Sequence, residues 1–254
     1  MFDTSDMYAW MLAALRAGGL LLVLPTFAVR SVPVILRVSF SAILGWIAMG
    51  AFDAAAVAPG SGIELILLAA KEMSIGVLMG MAVRIVFATI DYASRILAVE
   101  IGINPSPEFD PTNGSGGNPI GTGLYYIGVL LMFGGAHYAF LYAFMRSFAL
   151  VPPGLAEPGV GFVSIAVTHT ARIFQLGLLM AAPIVAVNFL VNLTFSFLGR
   201  IVPKMNVFIL SFSVRILAGT AMLVLSTGLI VHYIIQQFNE APEAMLRFIP
   251  FVNL

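Results

Sequence analysis

Apolar residues run along this chain in blocks far longer than a soluble helix needs. Three blocks carry no formal charge: 173–199 with 27 residues, 120–145 with 26 and 216–238 with 23. At about 1.5 Å per residue, each can cross about 30 Å of hydrocarbon. The first hundred residues are as apolar, yet Lys71, Glu72, Arg84, Asp91, Arg95 and Glu100 interrupt them or lie beside them.

The pattern predicts six helical elements. The first covers 6–29, with Thr4 and Ser5 as caps and Pro25 kinking or ending its last turn. A basic connection over 30–37, with Pro33, leads to a charge-free run over 38–52, whose 15 residues are too short to cross alone. A turn over 53–62 with Pro59-Gly60 precedes a long element, 63–102. The segment 104–119 holds four prolines and three glycines, so neither helix nor strand runs through it. The fourth element spans 120–145, the fifth 164–199 with Pro183 deep inside it, and the sixth 205–238. Pro203 breaks the corner at 200–204, and Pro242 and Pro250 fall in a short tail.

Composition agrees. Hydrophobic residues are 60% of the chain and charged residues 9%, with a mean hydropathy of +1.02; a soluble domain carries about a quarter charged residues. The expectation is an all-α integral membrane protein, one membrane domain over 1–254 with six helical elements. Twelve basic side chains balance twelve acidic ones, so nothing points to nucleic acid as a partner. The absence of cysteine excludes disulfides, Cys-ligated zinc and iron–sulfur clusters. Arg16 inside the first apolar stretch, and no basic residue before it, argue against a cleaved signal peptide. Cationic corners at Arg30/Arg37 and Arg200/Lys204 put the N-terminus outside by the positive-inside rule, with Arg146 against the pattern.

Charges at a helix centre cost about 2.5–3.5 kcal/mol each on insertion scales, so Lys71 and Glu72 need compensation. Arg84, Asp91 and Arg95 fall within about 40° of one another on a helix, and Asp91–Arg95 is an i,i+4 pair. Gly76, Gly80 and Arg84 continue one i,i+4 line along which another helix can approach closely. Two readings stay open: the charges pair within this chain, or their element packs against other subunits or water. Asn188, Asn192, Ser196 and Arg200 form a stripe spaced by four, either interhelical glue or a hydrated path. Pro183 frees the carbonyl of Leu179, which bends the fifth element where neighbours satisfy it. The segment 104–119 is either a solvated loop or a plug, with Phe109 as its one large apolar anchor.

No catalytic set emerges. His137, His169 and His232 share no ligand spacing, and no His-Glu-x-x-His or Gly-x-x-x-x-Gly-Lys motif occurs. Ser115 in Asn113-Gly-Ser-Gly-Gly117 sits in a proline-bounded loop instead of the positioned turn that a nucleophile needs. No metal, cofactor or enzymatic activity is expected. A secondary solute transporter is the alternative, with a mid-membrane site at Pro183 and Asn188.

Several motifs together resemble the FliR family of flagellar export proteins. Asp110-Pro111 lies in a small-residue loop, followed by a hydrophobic stretch ending in Arg146-Ser147-Phe148 with Pro152 behind it. Arg200-x-x-Pro203-x-x-Asn206-Val207-Phe208 precedes an apolar helix with Gly219. Arg16, Pro25, Pro33-x-x-x-Arg37 and Glu72-x-x-x-Gly76-x-x-x-Gly80 also fit, so the resemblance covers nearly the whole chain. Lys204 and Ser213 depart from it, standing where the family often has glutamine and flagellar members often have proline. Ser213 bears on the choice between flagellar members and the injectisome SpaR/SctT relatives; the flagellar choice is favoured.

The resemblance implies a subunit of the type III export gate in the bacterial inner membrane, at the flagellar basal body. It implies assembly with FliP and FliQ, contact with FlhB and FlhA, and passage of unfolded export substrates. It further implies kinked helices arranged as hairpins, with a FliP-like part over 1–151 and a FliQ-like hairpin over 152–254. The plug would be 104–119, with Asn104, Pro105, Phe109, Asp110, Pro111, Asn113, Gly114, Gly116, Gly117 and Pro119 as its gate residues. Lys71, Glu72, Arg84, Asp91, Arg95, Asn188, Asn192, Ser196 and Arg200 would face subunit interfaces, while Gly76, Gly80, Pro183 and Pro203 would serve helix packing.

Overall fold

A computed structural model describes residues 4–28, 32–52, 60–103, 118–154, 162–202 and 206–249. Among these residues every regular element is helical. Helix α1 (Thr4–Val23) stops at Leu24, and Pro25 opens the single turn α2 (Pro25–Ala28). The break lies where the sequence places it, because a proline at a first helical position loses no hydrogen bond.

Helix α3 (Val34–Ala48) starts directly behind Pro33, four residues before the expected position, and ends in a 3₁₀ turn, Met49–Ala51. Arg37 therefore lies in the helix instead of the connection. Its Nη2 donates back to the carbonyl of Val32 at 2.9 Å, so the charge ties the helix start instead of preventing it. The extension gives an apolar stretch of 18 residues, Val34–Ala51.

Helix α4 (Gly62–Ile101) runs for 40 residues. Ser61 Oγ accepts from the Glu64 backbone N–H at 3.2 Å, and Glu64 Oε2 accepts from the Gly60 N–H at 2.7 Å, a reciprocal cap of the capping-box kind. At the other end Gly102 takes φ +88°. The N–H of Ile103 reaches the carbonyl of Ala98 at 2.9 Å and that of Gly102 reaches Val99 at 3.1 Å. This double bond pattern needs a left-handed residue, which glycine supplies without a Cβ clash.

The expected fourth element is two helices, α5 (Pro119–Leu131) and α6 (His137–Leu150), joined by a π-turn, Met132–Ala136. Gly135 leaves helical geometry there (φ 167°, ψ −35°). Gly134 and Gly135 bring no side chain that would favour straight continuation, and π-turns are a known source of kinks. Helix α7 (Phe162–Ile201) contains Pro183. Helix α8 (Val207–Arg247) continues through Pro242, which the sequence assigns to a tail. The missing hydrogen bond is offset by packing, since Ala241, Met245, Phe248 and Ile249 are all buried.

The chain forms two compact units. One comprises Met1–Val86, Met132–Thr170 and Gln237–Leu254; the other comprises Phe87–Leu131 and Ala171–Gln236. In the first unit Leu12, Ile75, Met79, Phe144, Phe148 and Phe248 are fully buried. Backbones meet closely there: a Cβ on Gly76 would overlap the Arg16 carbonyl, and one on Gly80 would lie 2.9 Å from the Leu20 carbonyl. The Gly76–Gly80 line thus receives α1 of the same chain. In the second unit Ile90, Leu97, Ile101, Met180, Ile184 and Ile230 make the core. Gly177 leaves room for the Tyr92 ring, and Gly219 for Ile101. Among the described residues six helices are long and apolar enough to cross a membrane.

Candidate functional site

The most developed polar site lies in the first unit, around an arginine. Arg16 sits on α1 between Leu12 and Leu20 with no exposed surface. Its Nε donates to Glu72 Oε2 at 2.6 Å, its Nη1 to Ser147 Oγ at 3.1 Å, and its Nη2 to the carbonyl of Val151 at 2.9 Å. Glu72, equally buried, uses Oε1 to accept the Gly154 N–H at 3.1 Å. The guanidinium carbon lies 4.2 Å from the centre of the Phe148 ring. That ring stacks on Phe52 at 5.4 Å and meets Phe144 edge-on at 5.1 Å. One ion pair therefore joins α1, α4, α6 and the turn behind α6.

Local sequence explains the arrangement. Successive helical residues are about 100° apart, so Glu72 faces α1 while Lys71 faces outward. Val151 is extended (φ −135°, ψ 92°), which frees its carbonyl from the helix, and Gly154 takes φ +88°. A planar guanidinium with five donors suits this site, where a lysine ammonium could not bridge three elements in one plane.

Glu72 pairs with Arg16, 56 positions away, and not with Lys71. The sequence pattern does not single out Arg16, Ser147, Phe148, Val151 and Gly154 as site residues. The available signal was one basic residue halfway along an apolar helix, which requires a carboxylate somewhere in the fold. Nothing in the spacing identified which carboxylate.

The second unit carries two amide contacts on α7. Asn188 Nδ2 donates to Glu100 Oε2 in a short hydrogen bond, and Asn192 Oδ1, one turn on, accepts from Arg215 Nη2 at 2.7 Å. Ser196 is exposed and bonds the carbonyl of Asn192 within its own helix; Arg200 is exposed. The expected stripe therefore divides into two interhelical contacts and two outward positions. Asp91 and Arg95 form the i,i+4 pair at 3.0 Å, both exposed, and Arg84 is exposed as well.

Of the expected plug residues, Pro119 opens α5. Beside it Asn118 Nδ2 donates to Ser94 Oγ on α4 at 3.2 Å. Asn104, Pro105, Phe109, Asp110, Pro111, Asn113, Gly114, Gly116 and Gly117 lie outside the described residues, as does Pro203. Among the described residues no three His, Asp or Glu side chains gather as a metal site.

Comparison with known proteins bears on what these features serve. The chain is 26% identical over 252 residues to the flagellar biosynthetic protein FliR of Bacillus subtilis, covering 97% of this chain and 96% of that one. It is 24% identical to FliR of Escherichia coli over 243 residues, covering 92% and 89%. It is also 26% identical to the Yop proteins translocation protein T of Yersinia pestis over 193 residues, covering 75% and 71%. The description "Bacterial export proteins, family 1" matches residues 7–241. With six apolar helices of spanning length, this is a multi-pass membrane protein of a flagellar or type III export apparatus. The chain belongs to the family 1 bacterial export proteins, the group that includes FliR.

Proposed function

We propose that this chain is a non-enzymatic core subunit of the flagellar protein export gate in the bacterial inner membrane. It helps form and plug the pore through which unfolded flagellar proteins leave the cytoplasm. The observation that carries this reading is the family match over 7–241, which includes the breaker-rich segment 104–119. The segment's flanks favour a plug held at defined points. Gly102 closes α4 in a tight left-handed turn, and Asn118 returns to Ser94 on the same helix.

In this reading the chain assembles with FliP and FliQ, and FlhB and FlhA act beside it at the basal body. Residues 1–151 correspond to FliP and 152–254 to FliQ. Energy comes from the proton-motive force and a separate ATPase. Lys71, Arg84 and the Asp91–Arg95 pair, all exposed on an apolar chain, face sister subunits or water instead of acyl chains. The solute-transporter alternative draws no support from the family match.

Deletion of residues 113–117 in cells tests the plug. Ion leakage and slowed growth are the expected result; a sealed membrane with normal export removes the role. Purification of the tagged chain tests assembly, and a monodisperse monomer without companions would refute it.

A further inference from the structure

We propose that Glu100 and Asn188 form half of an intersubunit ion-pair site, completed by a lysine or arginine on a helix of another subunit. This rests on the assembly proposed above and names the chemistry of one contact within it. Glu72, Asp91 and Glu243 each pair with an arginine. Glu100 makes no ion pair with any described residue, and its carboxylate has only the N–H of Asn188. It also occupies the last turn of α4, which holds no basic residue. A negative charge there opposes the partial negative charge of the helix C-terminus.

Asn188 adds a second, independent demand. It is 6% exposed, and its Oδ1 has no hydrogen-bond donor. The open valences at this site, on Oδ1 and on the carboxylate, are therefore acceptors, and a buried acceptor without a donor is rare. A cationic side chain satisfies both atoms and neutralises the charge. Arg215 does not do so: its Nη2 is on Asn192, one turn away, and it makes no ion pair with Glu100. Around the site Val99, Phe189 and Leu190 are exposed and apolar, Val99 at 61%, as suits cover by a helix carrying one basic residue.

The test uses the whole complex from membranes. Glu100→Lys should cut recovery of companion subunits by at least about tenfold, and Glu100→Gln, which keeps volume and the Asn188 contact, by less. The chain has no cysteine, so Val99→Cys places a single thiol beside an intact Glu100 for crosslinking and mass spectrometry. The expected product joins it to an apolar segment of another subunit containing a lysine or arginine. Reversing that residue to glutamate should restore assembly of Glu100→Lys. Wild-type recovery of companions with Glu100→Lys overturns the inference while leaving the gate reading intact. So does rescue of Glu100→Lys by Arg215→Glu, because the counterion would then be internal. A wild-type chain that purifies alone overturns both.

Discussion

An arginine without exposed surface is tolerable inside an apolar unit only while its donors are engaged. Arg16 meets that condition through Glu72, Ser147 and Val151, and its flat face rests on Phe148. Removing one member of such a pair leaves the other charged and buried, which costs about 3–5 kcal/mol. Arg16→Met and Glu72→Leu alone should each lower unfolding stability in detergent by about that amount. The double variant should recover most of the loss, because an apolar pair of similar volume needs no solvation. Two single losses that simply add would show that the residues act separately. Ser147→Ala removes one hydrogen bond to a charged group and should cost less, about 1.5–3 kcal/mol. The site also shows a limit of sequence reading. Glu72 was recognisable as a charge needing compensation, but its neighbour Lys71 was the nearest candidate in sequence. Helical phase places the two residues on different faces, and only the packing of α1 on α4 identifies Arg16 as the partner.

Between helices, glycines divide into those that admit a neighbour and those that face open space. A Cβ at position 76 would overlap the backbone carbonyl of Arg16, which cannot swing aside as a long side chain can. Gly76→Ala should therefore separate α1 from α4 and destabilise by about 1–3 kcal/mol, an overpacking cost. Gly228 in α8 has nothing within 4 Å of its Cβ position. In the isolated chain Gly228→Ala should be neutral or stabilise by up to about 1 kcal/mol, through helix propensity. Denaturant unfolding of both variants checks the contrast; equal losses would mean that helix flexibility, not contact, decides. Element ends were legible where local residues break the backbone: Pro25 splits α1 from α2, and α4 ends at Ile101, next to the expected 102 and just before Asn104-Pro105. They were illegible where packing decides. Pro242 is a helix breaker by itself, yet α8 runs through it because Ala241 and Met245 are buried. The π-turn at Met132–Ala136 also escaped, since two glycines in an apolar run fit a straight membrane helix as well as a kinked one. The prolines and glycines of 104–119 mark it as a loop and leave a solvated loop or a plug open; the family resemblance favours the proposed plug.

For the whole molecule the apolar surface left outside the two cores sets what must cover it. Only 11% of the residues of Val34–Ala51 and 17% of an 18-residue apolar stretch of α8 are buried within the chain. Trp46 on α3 is 55% exposed and Leu225 on α8 is 79% exposed. Lipid or sister subunits could cover such faces equally well by the hydrophobic effect, because acyl chains are as apolar as leucine. The charged positions break the tie: Lys71, Arg84, Asp91 and Arg95 are also exposed, and acyl chains solvate none of them. Protein or water is therefore expected at these positions of α4, while the faces of α3 and α8 call for experiment. The cysteine-free sequence allows a direct measurement. A nitroxide attached after Trp46→Cys or Leu225→Cys reports collision with molecular oxygen, which concentrates among acyl chains. In the chain reconstituted alone, both labels should collide freely. In the assembled complex the collision rate should fall several-fold at whichever of these faces meets another subunit. Unchanged oxygen collision at both sites would show that lipid covers α3 and α8, and would confine subunit contacts to the charged face of α4.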